Sequence, residues 1–387
     1  MANQALNCPH AKQKCGGCTL GHLTYKEQCD HKNQYMKDLF GDHPKLRPIL
    51  AANEDKHYRC KVTSTFAFNK KHGLFGGIYA QGSHKVIKVD SCHLHNELGD
   101  KAVQAVLQAA KNCKLPAFDE DKRRGLLRHV VVRVGKYTGQ LMVTVVTASP
   151  EFPGASNFVK ELKRLCPEVT TVVQNVNPTF TSAVLGNREK VLYGKGFITD
   201  TLCGLSFRIS PTSFYQVNPD QTQVLYNTAL DLAKLKKSET VLDTYCGTGT
   251  IGMIAAGRCR SVTGVEINKF AVRDAINNAK YNKVENISFV CDDAEKFMLK
   301  IAREKKKFDC VIMDPPRSGS TKSFMDAVGK MRPTKVVYIS CNPETQVRDI
   351  KYLEKLGYHL QVIQPVDLFP HTEHVESIAL LRRKDIR

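Results

Sequence analysis

At 387 residues the chain is long enough for two or three compact domains, and a hydrophobic fraction of 42% fits a globular protein with a sizeable core rather than a disordered chain. No run of about 18 apolar residues occurs, and the opening MANQALNCPHAKQKC lacks the basic-then-apolar profile of a leader, so neither membrane insertion nor export is expected and the cytoplasm is the default. Lysine and arginine number 57 against 38 acidic residues, a formal charge of +19 that favours a polyanionic partner, nucleic acid first.

The fourteen cysteines lie unevenly along the chain. Cys8, Cys15 and Cys18 form C-x6-C-x2-C, and Cys92 in Asp90-Ser-Cys-His offers a further thiol from across the first domain. Such a quartet suits structural zinc, the commoner intracellular occupant of an all-cysteine site, or a 4Fe-4S cluster. Cys29 and Cys60 are spare candidates that read better as free thiols, and Cys203 and Cys310 sit in apolar runs as buried ones. A disulfide framework is not expected in so long a chain without an export signal.

Strand-like runs VTSTFAF, HKVIKVD, HVVVRVG, QLMVTVVT, VTTVVQNVN and KVLYGKGFITDTL follow, separated by Gly, Asn and Pro, with few helices such as GDKAVQAVLQAAKN. They predict an α+β domain over residues 1–215, carrying the cysteine segment and a nucleic-acid-binding surface. Arg59, Arg123, Arg124 and Arg128 are candidates for phosphate contact, though each taken singly reads as solvated surface. From about residue 238 the pattern changes to ETVLDTY, SVTGVE, NISFVC, FDCVIMD, TKVVYIS, HLQVIQPVDLF and ESIALLRR, with helices such as KFAVRDAINNAKYN and PETQVRDIKYLEKLG between them. Repeated strand–helix–strand order predicts an α/β domain over 216–387, a doubly wound parallel sheet closed by a final strand pair. Gly357 is the expected C-terminal cap of the last helix.

The first strand of this domain runs into Gly247, Gly249 and Gly252, a G-x-G-x-x-G turn whose glycines let a ligand approach the backbone. Alone, the turn suits a dinucleotide equally well. The acids around it favour S-adenosylmethionine: Asp243 at the strand end for a cationic amino-acid moiety, Glu266 at the next strand for ribose hydroxyls, and Asp293 for the adenine amine. The competing reading is that these acids cap helices.

Asp314-Pro-Pro-Arg317 and Ser340-Cys341-Asn342-Pro343 end two further strands and open onto the same carboxyl edge of the sheet. A cysteine one strand from DPPR implies attack on a ring carbon. Uracil C5 is a poor nucleophile until a thiolate adds to C6, after which the enolate attacks an electrophilic methyl. Glu376, in His371-Thr-Glu-His-Val-Glu376, is placed to remove the C5 proton. A helix N-terminus and a nearby base are expected to lower the Cys341 pKa. His371 and His374 read as RNA-facing or supporting residues rather than zinc ligands, because Pro370 argues against a helix there.

DTYCGTGTIG, DPPRSG, YISCNPETQVRD and DLFPHTEHVE, in this order, closely resemble the RNA uracil-5-methyltransferase family, and the likeness continues upstream through ISPTSFYQVNPDQTQVLY, LRHVVVRV and YRCKV. The resemblance implies a Rossmann-like class I methyltransferase domain, with Cys341 as nucleophile and Glu376 as proton acceptor. It further implies that Gln216, Tyr245, Glu266 and Asp314 make cofactor or active-site contacts. Thr250 stands where some relatives carry Asn, and Tyr245 where Phe is frequent. The resemblance also shifts the cysteine quartet toward a 4Fe-4S cluster of structural role, as in ribosomal-RNA members. The cysteines lie so close to the start that no small barrel-like RNA-binding domain is expected ahead of them, which is similar to those members and puts 23S ribosomal RNA before the transfer-RNA T-loop. No obligate protein partner is expected. An NAD-dependent oxidoreductase would leave DPPR, SCNP and HTEHVE unexplained, and a noncatalytic iron–sulfur RNA-binding protein would carry a damaged nucleophile, base or cofactor loop, whereas all three are intact.

Overall fold

The computed structural model describes residues 4–41, 43–179 and 183–383. The cysteine segment leads into helix α1 (Tyr25–Phe40), whose start is fixed by a capping box. The Thr24 hydroxyl accepts from the Glu27 amide while the Glu27 carboxylate accepts from the Thr24 amide.

The first sheet is built from β1 (Lys61–Asn69), β2 (Gly73–Tyr79) and β3 (Val86–Lys88), then, after helix α2 (Glu97–Asn112), β4 (Leu127–Val134) and β5 (Leu141–Thr147). Helix α3 (Ala155–Leu165) crosses to β6 (Val169–Val176), and β7 (Arg188–Tyr193) closes the order β3-β2-β1-β4-β5-β6-β7. Only β5 and β6 run parallel, as a helical crossover requires. Val62, Phe66, Val130, Val132, Val143 and Val145 alternate onto one face and bury against Val103 and Val106 of α2 and Phe158 and Leu162 of α3.

β2, GLFGGIY, is not among the strand-like runs expected from the sequence. Its glycines serve close approach, since a Cβ on Gly77 would lie 1.8 Å from the Ile87 carbonyl oxygen of the neighbouring strand. The single run expected over KVLYGKGFITDTL is two strands, because Gly194 and Gly196 turn the chain at positive φ. The second piece, β8 (Ile198–Leu202), leaves the sheet and pairs with β9 (Leu205–Ile209) as a hairpin.

Helix α4 (Pro219–Ala233) precedes the second sheet. Its parallel strands alternate with helices: β10 (Thr240–Thr244), α5 (Thr250–Ala256), β11 (Ser261–Glu266), α6 (Lys269–Tyr281), β12 (Ile287–Cys291), α7 (Ala294–Arg303), β13 (Cys310–Met313), α8 (Lys322–Met331), β14 (Lys335–Ser340) and α9 (Pro343–Lys355). β15 (Tyr358–Val366) and β16 (Glu376–Arg383) complete the order β12-β11-β10-β13-β14-β16-β15, with β16 antiparallel to both neighbours. This is the doubly wound Rossmann-like sheet with its closing strand pair, and Gly357 follows α9 at positive φ as expected. The two sheets share packing: Met142 of β5 joins one apolar cluster with Ile198, Tyr215 and Leu225. No described helix is long and apolar enough to cross a membrane.

Helix α1 docks on the loop between β15 and β16. The fully buried Lys32 ammonium donates to Asp367 at 2.7 Å and to the Phe369 carbonyl at 3.1 Å, and the Tyr25 hydroxyl donates to the other Asp367 oxygen while accepting from the Ala52 amide. The chain after α1 also covers the free edge of β15, with bridges Leu46 to Ile363 and Leu50 to Val366. Asp367→Ala strands a buried ammonium and is expected to cost about 3–5 kcal/mol. Chemical denaturation of the whole chain checks this. The midpoint should drop sharply for Asp367→Ala and recover in Lys32→Met/Asp367→Leu, where an apolar pair replaces the ionic one.

Candidate active site

The carboxyl ends of β10, β11, β13 and β14 and the start of β16 meet on one edge. β10 delivers Asp243 to full burial, with no hydrogen-bond partner for either carboxylate oxygen. Gly252, in the first turn of α5, is small because a Cβ there would sit 2.6 Å from Asp243 Oδ2. Burial, then the nearby Asp314, push the Asp243 carboxyl well above its ordinary range, only partly opposed by the Gly252 amide. A buried acid without a cationic partner among the described residues is a site prepared for a cation.

The rest of the loop follows from backbone geometry. Gly247 and Gly249 take positive φ, as does Tyr245 at φ +63°, whose ring lies 5.7 Å from that of Phe324. Glu266, at the end of β11, accepts from the Gly247 amide at 3.0 Å and the Asn268 amide at 2.8 Å, which joins two strand ends. The Thr250 hydroxyl reaches Tyr226 at 3.5 Å. Asp293 accepts from the Lys296 amide as the N-cap of α7, so one of its oxygens does the capping work weighed as the alternative reading. Gln216 lies half-buried between the exposed Phe214 and the α4 cap Asn218. Among the described residues, the protein has the features S-adenosylmethionine needs here: an unpaired buried acid, a glycine cradle and a strand-end carboxylate.

The pairing of β14 with β16 sets Ser340 opposite Ser377, so the next pair outward is Cys341 and Glu376. The Asn342 side-chain amide donates to the Arg317 carbonyl at 3.1 Å, tying SCNP to DPPR. Glu376 is buried, and burial followed by Asp314 raises its carboxyl to about 8 against the pull of Arg317. Burial alone takes Asp314 to about 7. The expectation of a lowered Cys341 pKa is not met. Its thiol is pushed up to about 11 by burial and by the charges of Glu376 and Asp314, and Arg317 only partly offsets them. The helix N-terminus behind it is present, but burial first and then the nearby carboxyls outweigh it.

His371 does not face RNA. It is buried, shares hydrogen bonds with Gln28 of α1 and lies 3.2 Å from Asp55. His374 instead sits 3.1 Å from the Arg317 guanidinium, at the rim of the site. Arg128 is not surface either: it is buried and spent on the carbonyls of Asn177 and Thr179 and on Glu120. Helix α1, with Gln28 and Lys32, went unread in the sequence although its capping box T-x-x-E was legible.

Cys8, Cys15, Cys18 and Cys92 do gather. Burial and the other three thiols together push Cys18 up to about 12. Burial works against the Cys92 thiolate too, but the hydrogen bond and charge of His95 outweigh it and hold that thiol below its ordinary range. Even so, no three His, Cys, Asp or Glu side chains among the described residues are arranged as metal ligands. Cys60 is buried in the core of the first sheet, and Cys29, within α1, packs against the apolar cluster of the second sheet.

The pattern describing tRNA (uracil-5-)-methyltransferases matches residues 179–384, more than half of the chain. The chain belongs to the RNA uracil-5-methyltransferase family. A protein of Halalkalibacterium halodurans named as an RNA methyltransferase is 41% identical over 383 residues, 98% of this chain and 83% of that protein. One of Staphylococcus aureus with the same name is 37% identical over 377 residues, 96% of this chain and 83% of its own. The crystal structure of Pyrococcus abyssi tRNA (uracil-54, C5)-methyltransferase in complex with S-adenosyl-L-homocysteine superposes with a TM-score of 0.79 at 29% identity, covering 94% of this chain and 85% of that one. The enzyme is thus an RNA (uracil-C5)-methyltransferase with a Rossmann-like S-adenosylmethionine-dependent fold.

The raised carboxyls make stability depend on pH with a definite sign. Glu376 has an ordinary value of 4.5 and a folded value of about 8, so between these the folded methyltransferase holds a proton that the unfolded chain has released. Stability therefore falls as pH rises through that window. The fall in thermal midpoint from about pH 5 to pH 8 should be shallower for Glu376→Gln than for wild type, and equal slopes would remove the raised carboxyl from the account.

Proposed function

We propose that the enzyme methylates C5 of a uridine in structured RNA through a covalent adduct between Cys341 and uracil C6. The carrying observation is the register that sets Cys341 against Glu376 beside Asp314. The Cys341 thiol gives up its proton to solvent, the thiolate adds to C6, and the C5–C6 electron pair becomes an enolate with nucleophilic C5. S-adenosylmethionine supplies the methyl as an electrophile. Glu376 then takes the C5 proton, the pair left behind restores the C5–C6 double bond, and the Cys341 thiolate leaves. A carboxyl near 8 suits a base that works close to neutrality.

We assign Asp243 to the cationic amino-acid end of S-adenosylmethionine and Glu266 to the ribose. The backbone of Gly247 and Gly249, with Tyr245, Thr250, Gln216 and Asp314, lines the remainder, and the free oxygen of Asp293 faces adenine. Residues 1–215 form the RNA-binding unit and 216–387 the methyltransferase unit, in a cytoplasmic enzyme. Cys8, Cys15, Cys18 and Cys92 hold a 4Fe-4S cluster, with structural zinc as the alternative. The all-thiol donor set suits either, and the role is structural, because polar methyl transfer needs no electron carrier. Beside Cys18, Thr19 accepts from the Glu373 amide and Leu20 donates to the His371 carbonyl, so anchoring this segment also steadies the approach to Glu376.

The cysteine segment favours 23S ribosomal RNA as substrate. The name of the Pyrococcus neighbour keeps the transfer-RNA T-loop as the second reading. Mapping 5-methyluridine by mass spectrometry in ribosomal and transfer RNA, with and without the gene, separates the two. Cys341→Ala should retain S-adenosylmethionine binding yet make no 5-methyluridine. Glu376→Gln should accumulate an SDS-resistant protein–RNA species, since elimination needs the base; an undiminished methylation rate in Cys341→Ala would sink the adduct. Iron and sulfide in anaerobically purified protein identify the cluster, whereas stoichiometric zinc without iron rejects it.

A further inference from the structure

Extended chain sends alternate side chains to opposite faces. Along β1, Cys60, Val62 and Phe66 enter the core under α2. Arg59, bridged to His95 just before the strand, and Lys61 therefore turn to the other face. Lys61 is directly opposite Arg133 of β4. The neighbouring Val134 amide donates to the Cys60 carbonyl, so the Lys61/Arg133 pair is of the narrow, non-hydrogen-bonded kind, with Cα atoms about 4.5 Å apart. Like charges at such positions destabilise a sheet.

Elsewhere the protein pairs its recessed cations: Lys32 with Asp367, Arg128 with Glu120, Lys335 with Glu239, Arg208 with Asp274. Arg59, Lys61 and Arg133 have no carboxylate partner among the described residues. Burial, then Arg133 and Arg59, bring Lys61 down to about 8, and no acid counters them. Arg133 is 6% exposed; its Nη2 donates to the Ser213 carbonyl at 2.6 Å, but its Nε, also buried, has no partner. Arg59 and Lys61, both only half-buried, beside a buried guanidinium and with no carboxylate partner among the described residues, are an arrangement that an anion completes.

The position says which anion. Arg133 braces the backbone next to Phe214, which is 69% exposed at the approach to Gln216. Arg59 shares its influence on His374 with Arg317, and Arg317 in turn acts on Cys341 and Glu376. The cluster thus borders the site on the side of the first sheet. We propose that Arg59, Lys61 and Arg133 form a subsite for one backbone phosphate of the substrate RNA, next to the uridine presented to Cys341. The assignment rests on the reading of this enzyme as a methyltransferase of RNA uridine. A phosphate offers two free oxygens to a guanidinium fork and an ammonium, and gripping it fixes the strand's register while a base is drawn out of its stack.

The test uses Lys61→Met, which keeps the stem and removes the charge, and Arg59→Gln as an independent second variant; Arg133 is left intact because it braces the Phe214 loop. Binding of a fluorescent 12-nucleotide oligouridylate by the full chain should weaken about tenfold in each. The slope of log Kd against log salt should fall by about 0.7 for the lost single-strand phosphate contact. KM for unmethylated 23S transcript should rise while kcat stays near wild type. Lys61→Met should also raise the thermal midpoint of the RNA-free protein, because a repulsive pair is gone. Unchanged salt slope and KM in both variants would overturn the subsite. Oligouridylate binding that depends on Lys61 in an enzyme that methylates no uridine would instead sink the functional reading and leave the anion site standing.

Discussion

Because β16 runs antiparallel to β14 with Ser377 opposite Ser340, the residue that follows one strand and the residue that begins the other face each other at the edge where the parallel strands end. The proposed nucleophile follows directly on β14 and the proposed base begins β16, two strands paired in one hydrogen-bonded ladder. A slip of one residue would send Glu376 to the opposite face of the sheet. The DPPR turn is tied to the same place by the Asn342 side chain.

That edge concentrates negative charge. Asp243, Asp314 and Glu376 are all raised by burial, and Cys341 is raised by burial and by two of them. In the absence of cationic and RNA ligands such a site favours protonated forms, so the thiol is held neutral. On the proposed assignment of Asp243, binding of a cationic methyl donor relieves the repulsion that the folded chain otherwise carries. Reactivity and ligand binding are in this way coupled through one electrostatic field.

The opposite sign governs the first sheet and the N-terminal region. Lys32 is neutralised by Asp367, and that pair lets α1 grip the loop that leads to Glu376. The Lys61/Arg133 pair is left without a counter-ion on the face toward the site. One cationic feature is satisfied internally and the other is open to a polyanion, which matches a protein whose overall charge is +19.

The doubly wound fold, the glycine turn, DPPR, SCNP and the final HTEHVE were legible in the sequence because each is local: alternating strands and helices announce themselves by period, and strand-end motifs fall on one edge once the strands are parallel. Other features were decided only by tertiary contact. The pKa of Cys341 depends on burial and on carboxyls from two other strands, and a helix N-terminus read alone points the wrong way. The need for Gly76 and Gly77 within β2 arises only from α2 and β3 closing over them. Lys32 reads as an ordinary helix-surface lysine, since its partner lies 335 residues further on. Likewise, Arg59, Lys61 and Arg133 become a cluster only through the register of β1 against β4, because cross-strand neighbours are set by pairing and not by spacing along the chain.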